Sequence, residues 1–248
     1  MMRTGNPALN KKTFQNVRAA AGEGAMTLDG TVNKSFLLFF ILLGSAGFVW
    51  HKFFASSGTA NIAPFIWGGL IGGLIAALVT IFNKQIAKIT APIYALCEGL
   101  VLGGISAIYE TAYNGIVTQA VTLTIGIFLT MLFLYKSRII KPTENFKLGV
   151  VAATGGIAFI YFFSFILGLF GVGIPFIHGN GLFGIGFSLF VVGIASLNLV
   201  LDFDFIETGA EQGAPKYMEW YASFGLLVTL VWLYLEILRL LAKLQSRR

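Results

Sequence analysis

Seven apolar runs, each near the ~20 residues needed to cross ~30 Å of hydrocarbon, set the limits on how this chain folds. The first is Ser35–Trp50, bounded by Lys34 and His51. The second runs from about Ile62 to Phe82, and the third from about Ile89 to Ile108, broken only by Glu98. The fourth is Thr111–Tyr135 and the fifth about Leu148–Phe170. The sixth, about Gly181–Leu201, is closed by Asp202. The seventh, about Trp220–Leu241, contains Glu236 and Arg239. Only 11% of the residues are charged and 56% are hydrophobic, against about 25% charged in a soluble domain. A transmembrane barrel would show alternating segments of about ten residues, whereas these runs are unbroken. The expected fold is an all-α integral membrane protein, a seven-transmembrane-helix bundle. Residues 1–33 form a polar N-terminal arm, and 34–244 the transmembrane domain. The lipid bilayer is the first partner.

The net charge of +6 reads as topology rather than as a nucleic-acid surface. The arm through Lys34 carries Arg3, Lys11, Lys12, Arg18 and Lys34. The turn after the second run has Lys84 and Lys88. The turn after the fourth has Lys136, Arg138, Lys141 and Lys147, and the turn after the sixth has Lys216. The opposite side carries only Lys52. By the positive-inside rule the N-terminus is cytoplasmic. Arg239, Lys243, Arg247 and Arg248 near the other end run against this rule; either late charges weigh less than early ones, or the last run is re-entrant or buried in the bundle, and seven full spans are favoured. No early apolar leader is read, and Cys97, the sole cysteine, is read as packing. Gly68/Gly72, Gly69/Gly73 and Gly99/Gly103 match the small-residue spacing that lets membrane helices approach closely.

Acids inside apolar runs carry the functional signal, because each costs roughly 2.5–3.5 kcal/mol on insertion scales. Glu98 reads equally as a protonated acid bonded between helices or as an ion or proton ligand. Asp202 and Asp204 close the sixth run, and Glu219 opens the seventh at similar depth. The alternative there is a solvated acidic loop. Two close carboxylates cannot both ionise cheaply, so Asp202 and Glu219 could share a proton as a pH switch. Ionised together, they would offer hard oxygens to Ca²⁺. Glu236 and Arg239, three residues apart, share a helix face; they read as a structural ion pair or as a pore-lining carboxylate. No HExxH or GxSxG motif occurs, and His51 and His178 have no triad partner in view. The chain does not read as an enzyme and implies no cofactor.

Three segments, taken in order, are similar to the transmembrane Bax inhibitor motif family, and most to its bacterial branch. They are Glu98-Gly99 with Gly103, Leu199-Val200-Leu201-Asp202 with Ile206-Glu207, and Tyr217-Met218-Glu219 with Tyr234-Leu235-Glu236 through Arg239. The resemblance implies a seven-helix fold with the last helix near the centre. It also implies a multi-pass protein of a bacterial inner membrane, and a pH-sensitive Ca²⁺ leak gated by an acidic pair between the sixth and seventh helices. Asp202 matches the first member of that pair, with Asp204 as the alternative. The second is Glu219 by depth or Glu236 by local pattern, and depth is weighted more. Calcium or protons are then cargo. The runner-up is a non-conducting interaction protein that modulates a membrane protease or stress response through a membrane-protein partner.

The charge asymmetry has a direct test. Tags at Met2 and beside Lys141 are expected to be shielded from impermeant labels in intact cells and labelled after permeabilisation. Labelling of either before permeabilisation would reverse the topology.

Overall fold

The computed structural model describes residues 24–58, 61–171, 179 and 181–247. Arg3, Lys11, Lys12, Arg18 and His178 lie outside these. Among the described residues seven α-helices follow in order: α1 Leu28–Ala55, α2 Ala63–Phe82, α3 Ala87–Ala112, α4 Ile116–Lys136, α5 Glu144–Leu169, α6 Leu182–Glu211 and α7 Met218–Gln245. A 3₁₀ turn, Lys84–Ile86, leads into α3. Each helix is long and apolar enough to cross a membrane. Among the described residues the only β pairing is an isolated bridge between Ala25 and Pro215. This is the all-α seven-span bundle expected.

Helices α1, α3, α5, α6 and α7 extend past their apolar runs, and at α1, α6 and α7 the extension decides a sequence expectation. α1 starts at Leu28, ahead of the domain boundary expected at residue 34. Thr27 caps it by accepting from the Gly30 N–H at 3.0 Å. α6 continues past Asp202 to Glu211, so Asp202, Asp204 and Glu207 are helical and the alternative of an acidic loop fails. Gly213 ends α6 at φ +65°. The Ala214 N–H reaches Gly209 O at 3.0 Å and the Gly213 N–H reaches Ala210 O at 3.2 Å, a glycine-closed helix end. α7 is one unbroken 28-residue helix, which excludes the re-entrant alternative.

Burial sorts the helices. The buried share of the apolar window is 61% in α7 and 56% in both α3 and α6, but only 17–22% in the other four. The last helix is thus the most enclosed. Large side chains such as Phe40, Trp67, Phe82, Phe159 and Phe183 are more than half exposed. In water that surface would be a liability; a bilayer accepts it.

α3 packs against both α1 and α2, and glycine sets the approach. A Cβ on Gly103 would lie 2.3 Å from Ala46 O, and one on Gly99 would lie 2.3 Å from Leu42 O, both backbone atoms of α1. On the other side, a Cβ on Gly69 would lie 2.6 Å from Cys97 O of α3. Gly68 faces open space while Gly69, Gly72 and Gly73 meet α3, so of the two overlaid α2 patterns only the 69/73 pair has both members on that face. Thr80 donates to Thr90 at 2.6 Å, tying α2 to α3 by a buried hydroxyl pair.

Gly103→Ala should therefore destabilise by about 1–3 kcal/mol through overpacking, whereas Gly68→Ala should stay within about 0.5 kcal/mol. Unfolding in mild detergent checks both, and equal effects would show that the α1–α3 approach is not tight.

Candidate functional site

Two compact units divide the described chain: residues 115–204 with 229–247, and residues 24–114 with 205–228. Each gathers ionisable side chains of its own.

In the first unit a stripe on α5 organises the polar groups. Lys147, Thr154 and Tyr161 recur every seven residues. Seven residues make nearly two turns, so the three share one face at steps of about 10 Å. Each meets a different partner. Lys147, 1% exposed, makes an ion pair with Asp204 of α6. The Asn198 amide of α6, 2% exposed, donates to the Thr154 hydroxyl at 2.8 Å. The Tyr161 hydroxyl donates to Glu236 Oε1 of α7 at 2.9 Å. Arg239 completes that third layer, reaching Glu236 Oε1 at 2.7 Å and the Tyr161 hydroxyl oxygen at 2.8 Å. Its guanidinium also lies 5.2 Å from the centre of the Tyr161 ring. One turn further along α7, Lys243 donates to Ser188 Oγ at 2.9 Å and Gly184 O at 3.0 Å of α6.

The result is a file of polar contacts along α5, α6 and α7, running from Asp204 to Ser188. Asp202 is fully buried near its Asp204 end, and Glu236 is 1% exposed further along. Along α5, the layers holding Asp204 and Glu236 are fourteen residues apart, about 21 Å. Asp202 and Glu236 therefore occupy different depths along the file. The expected Glu236–Arg239 ion pair is present.

The second unit holds Glu219, whose side chain is fully buried in the first turn of α7. Its Oε1 accepts from the Thr27 N–H at 3.0 Å, the Thr27 hydroxyl at 2.9 Å and Lys216 at 2.8 Å. Its Oε2 pairs with Lys34 of α1. Gly30 makes room for the carboxylate, since a Cβ there would lie 2.2 Å from Glu219 Oε1. Ser223, one turn along α7, donates to Thr31 O of α1 at 3.0 Å. Glu219 thus joins α1 to α7 through cations and backbone. Asp202 and Glu219 fall in separate units. Among the described residues no group of three or more His, Cys, Asp or Glu is placed to hold a metal ion. Glu98 is half-buried on α3 beside the Gly73 position of α2, where a Cβ would lie 3.4 Å from Glu98 Oε2.

Sequence reasoning missed Tyr161, Thr154, Asn198 and Thr27. It counted Lys34 and Lys147 only as topology signals and Lys243 only as a misplaced charge. The seven-residue polar stripe in the fifth run was the readable sign of the α5 groups.

Against known proteins, a family profile described as Bax inhibitor 1 like matches residues 6–246, essentially the whole chain. No curated protein and no solved structure matches it.

Removing one member of the Glu236–Arg239–Tyr161 group should expose how it is balanced. Arg239→Met strands a buried carboxylate and should cost about 3 kcal/mol, whereas Glu236→Gln with Arg239→Met should cost clearly less. Unfolding midpoints of the two singles and the double give the coupling; strict additivity would show that the three groups act independently.

Proposed function

We propose that this chain, which belongs to the Bax inhibitor 1 like family, is a pH-sensitive cation leak of its membrane, with Ca²⁺ as cargo. The observation that carries this reading is the file of buried and half-buried ionisable groups in α5, α6 and α7. Structural helices have little reason to hold Asp202, Asp204, Glu236, Lys147, Arg239 and Lys243 at successive depths. Ionisable groups inside a membrane mark ion or proton paths. The reading needs no enzyme chemistry and no bound cofactor.

Each residue takes a role from its place. The Lys147–Asp204 pair closes one end of the file, and Asp202, fully buried beside it along α6, is the residue whose protonation changes the local charge. Tyr161, Glu236 and Arg239 form the constriction towards the other end. By the charge asymmetry of the turns, the Asp204 end is cytoplasmic. Three acids face three cations along this file, so it is neutral with all six ionised. Protonating Asp202 leaves it net positive, and a positive file repels a cation. Protonation of Asp202 at lower pH should therefore reduce flux.

Purified protein in dye-loaded liposomes tests this. Wild type should pass Ca²⁺ with a pH dependence that Asp202→Asn flattens. Glu236→Gln should keep the pH dependence and lower the rate several-fold. Should Glu219→Gln flatten the profile while Asp202→Asn leaves it intact, the gate belongs to the Glu219 cluster. Flux that no substitution changes, or none at all, would replace conduction with the interaction-protein reading.

A further inference from the structure

A pocket of about 440 Å³ opens in the second unit, lined by Gly24, Gln85, Lys88, Lys216, Tyr217 and Trp220. Its walls come from three places in the chain: the stretch before α1, the turn into α3, and the turn into α7. All are helix ends, where the bilayer gives way to headgroups. Among the described residues no acidic side chain lines it.

The local charges do not balance. Lys34 and Lys216 share a single acid, Glu219. Lys88 is exposed on the first turn of α3 and adds a further cation. Among the described residues, three ammonium groups stand against one carboxylate, two of them on the pocket wall. The aromatic side is equally built. Trp220 forms wall, and its ring carries the Lys34 ammonium 5.5 Å from its centre. Tyr217 lies beside it in the wall. A basic pocket between helix ends, edged by Trp and Tyr, is the composition that recognises an anionic headgroup at a membrane surface. The volume suits a small polar ligand.

We infer that this pocket binds the phosphate-ester headgroup of an anionic phospholipid. Lys88 and Lys216 meet the phosphate, Gln85 offers an amide to the polar headgroup, and Trp220 and Tyr217 cover the glycerol end. Lys216 also holds Glu219, so the headgroup draws on a cation of the contact that fixes α1 to α7. Occupancy of the pocket and the Glu219 cluster are linked through that one ammonium.

The test is lipid retention by the full-length protein, released from detergent and followed by native mass spectrometry. Phosphatidylglycerol should be retained and phosphatidylcholine should not. Lys88→Gln touches no ion pair of the fold and should weaken phosphatidylglycerol retention about fivefold, with Lys88→Gln plus Lys216→Gln weakening it about twenty-five-fold. Unchanged unfolding midpoints for Lys88→Gln would confirm that the loss is local. Inorganic phosphate and glycerol 3-phosphate, added as competitors, should fail to displace the lipid. Displacement by free phosphate at equal concentration would assign the pocket to a soluble phosphate ligand and overturn the lipid. Equal retention of both lipids, or retention indifferent to Lys88→Gln, would also overturn it.

Discussion

An ammonium group has no place in hydrocarbon without an anion, and Lys147, 1% exposed, is held by Asp204. That single requirement fixes the face α5 turns towards α6. Once Lys147 is placed, the seven-residue stripe puts Thr154 at Asn198 and Tyr161 at Glu236 and Arg239. Lys243, buried one turn beyond Arg239, is satisfied by Ser188 and a carbonyl. Breaking any one layer would leave a polar group in a medium with no water to replace its partner.

Two kinds of contact hold these helices, alongside the Glu219 ion pairs of the second unit. Residues 24–114 rely on closeness: Gly99, Gly103 and Gly69 bring backbones to where a methyl group would collide, and attraction between well-packed surfaces does the rest. Residues 115–204 with 229–247 rely on matched polar groups. In α4 and α5 most glycines, such as Gly126, Gly155 and Gly156, face open space. Shape tolerates lipid on the remaining faces and gives a rigid body. Matched charges give a unit whose contacts respond to a proton or an ion.

Span number, order and length were legible because hydropathy integrates over about twenty residues. So was the Glu236–Arg239 pair, since three residues along one helix define a common face without tertiary knowledge. The partner of Glu219 was not legible. Hydropathy treats Lys34 and Lys216 as loop charges, yet both turn back onto the carboxylate, and the space for it depends on Gly30 lacking a side chain. Lys147 was hidden for the same reason: it sits at a span end, where a cation usually signals topology, and only the rotation of α5 buries it. Two of the four C-terminal cations that ran against the positive-inside count are explained by use. Arg239 is spent on Glu236 and Lys243 on α6, so neither is an exposed loop charge of the kind that rule counts.

The balance of charge also bears on how a cation would travel. A Ca²⁺ ion that is to be held asks for six to eight oxygens, and no cluster of acids of that kind exists among the described residues. Asp204 and Glu236 already have a cation each, in separate layers. An entering ion must compete with Lys147 at one layer and with Arg239 further along, and meets about 21 Å between them with Asp202 and the Thr154–Asn198 layer on the way. Such a file binds weakly and briefly at each step. On the proposed reading this makes the chain a slow leak rather than a store or a fast pore, and it makes the acids, rather than a metal cage, the place where pH acts.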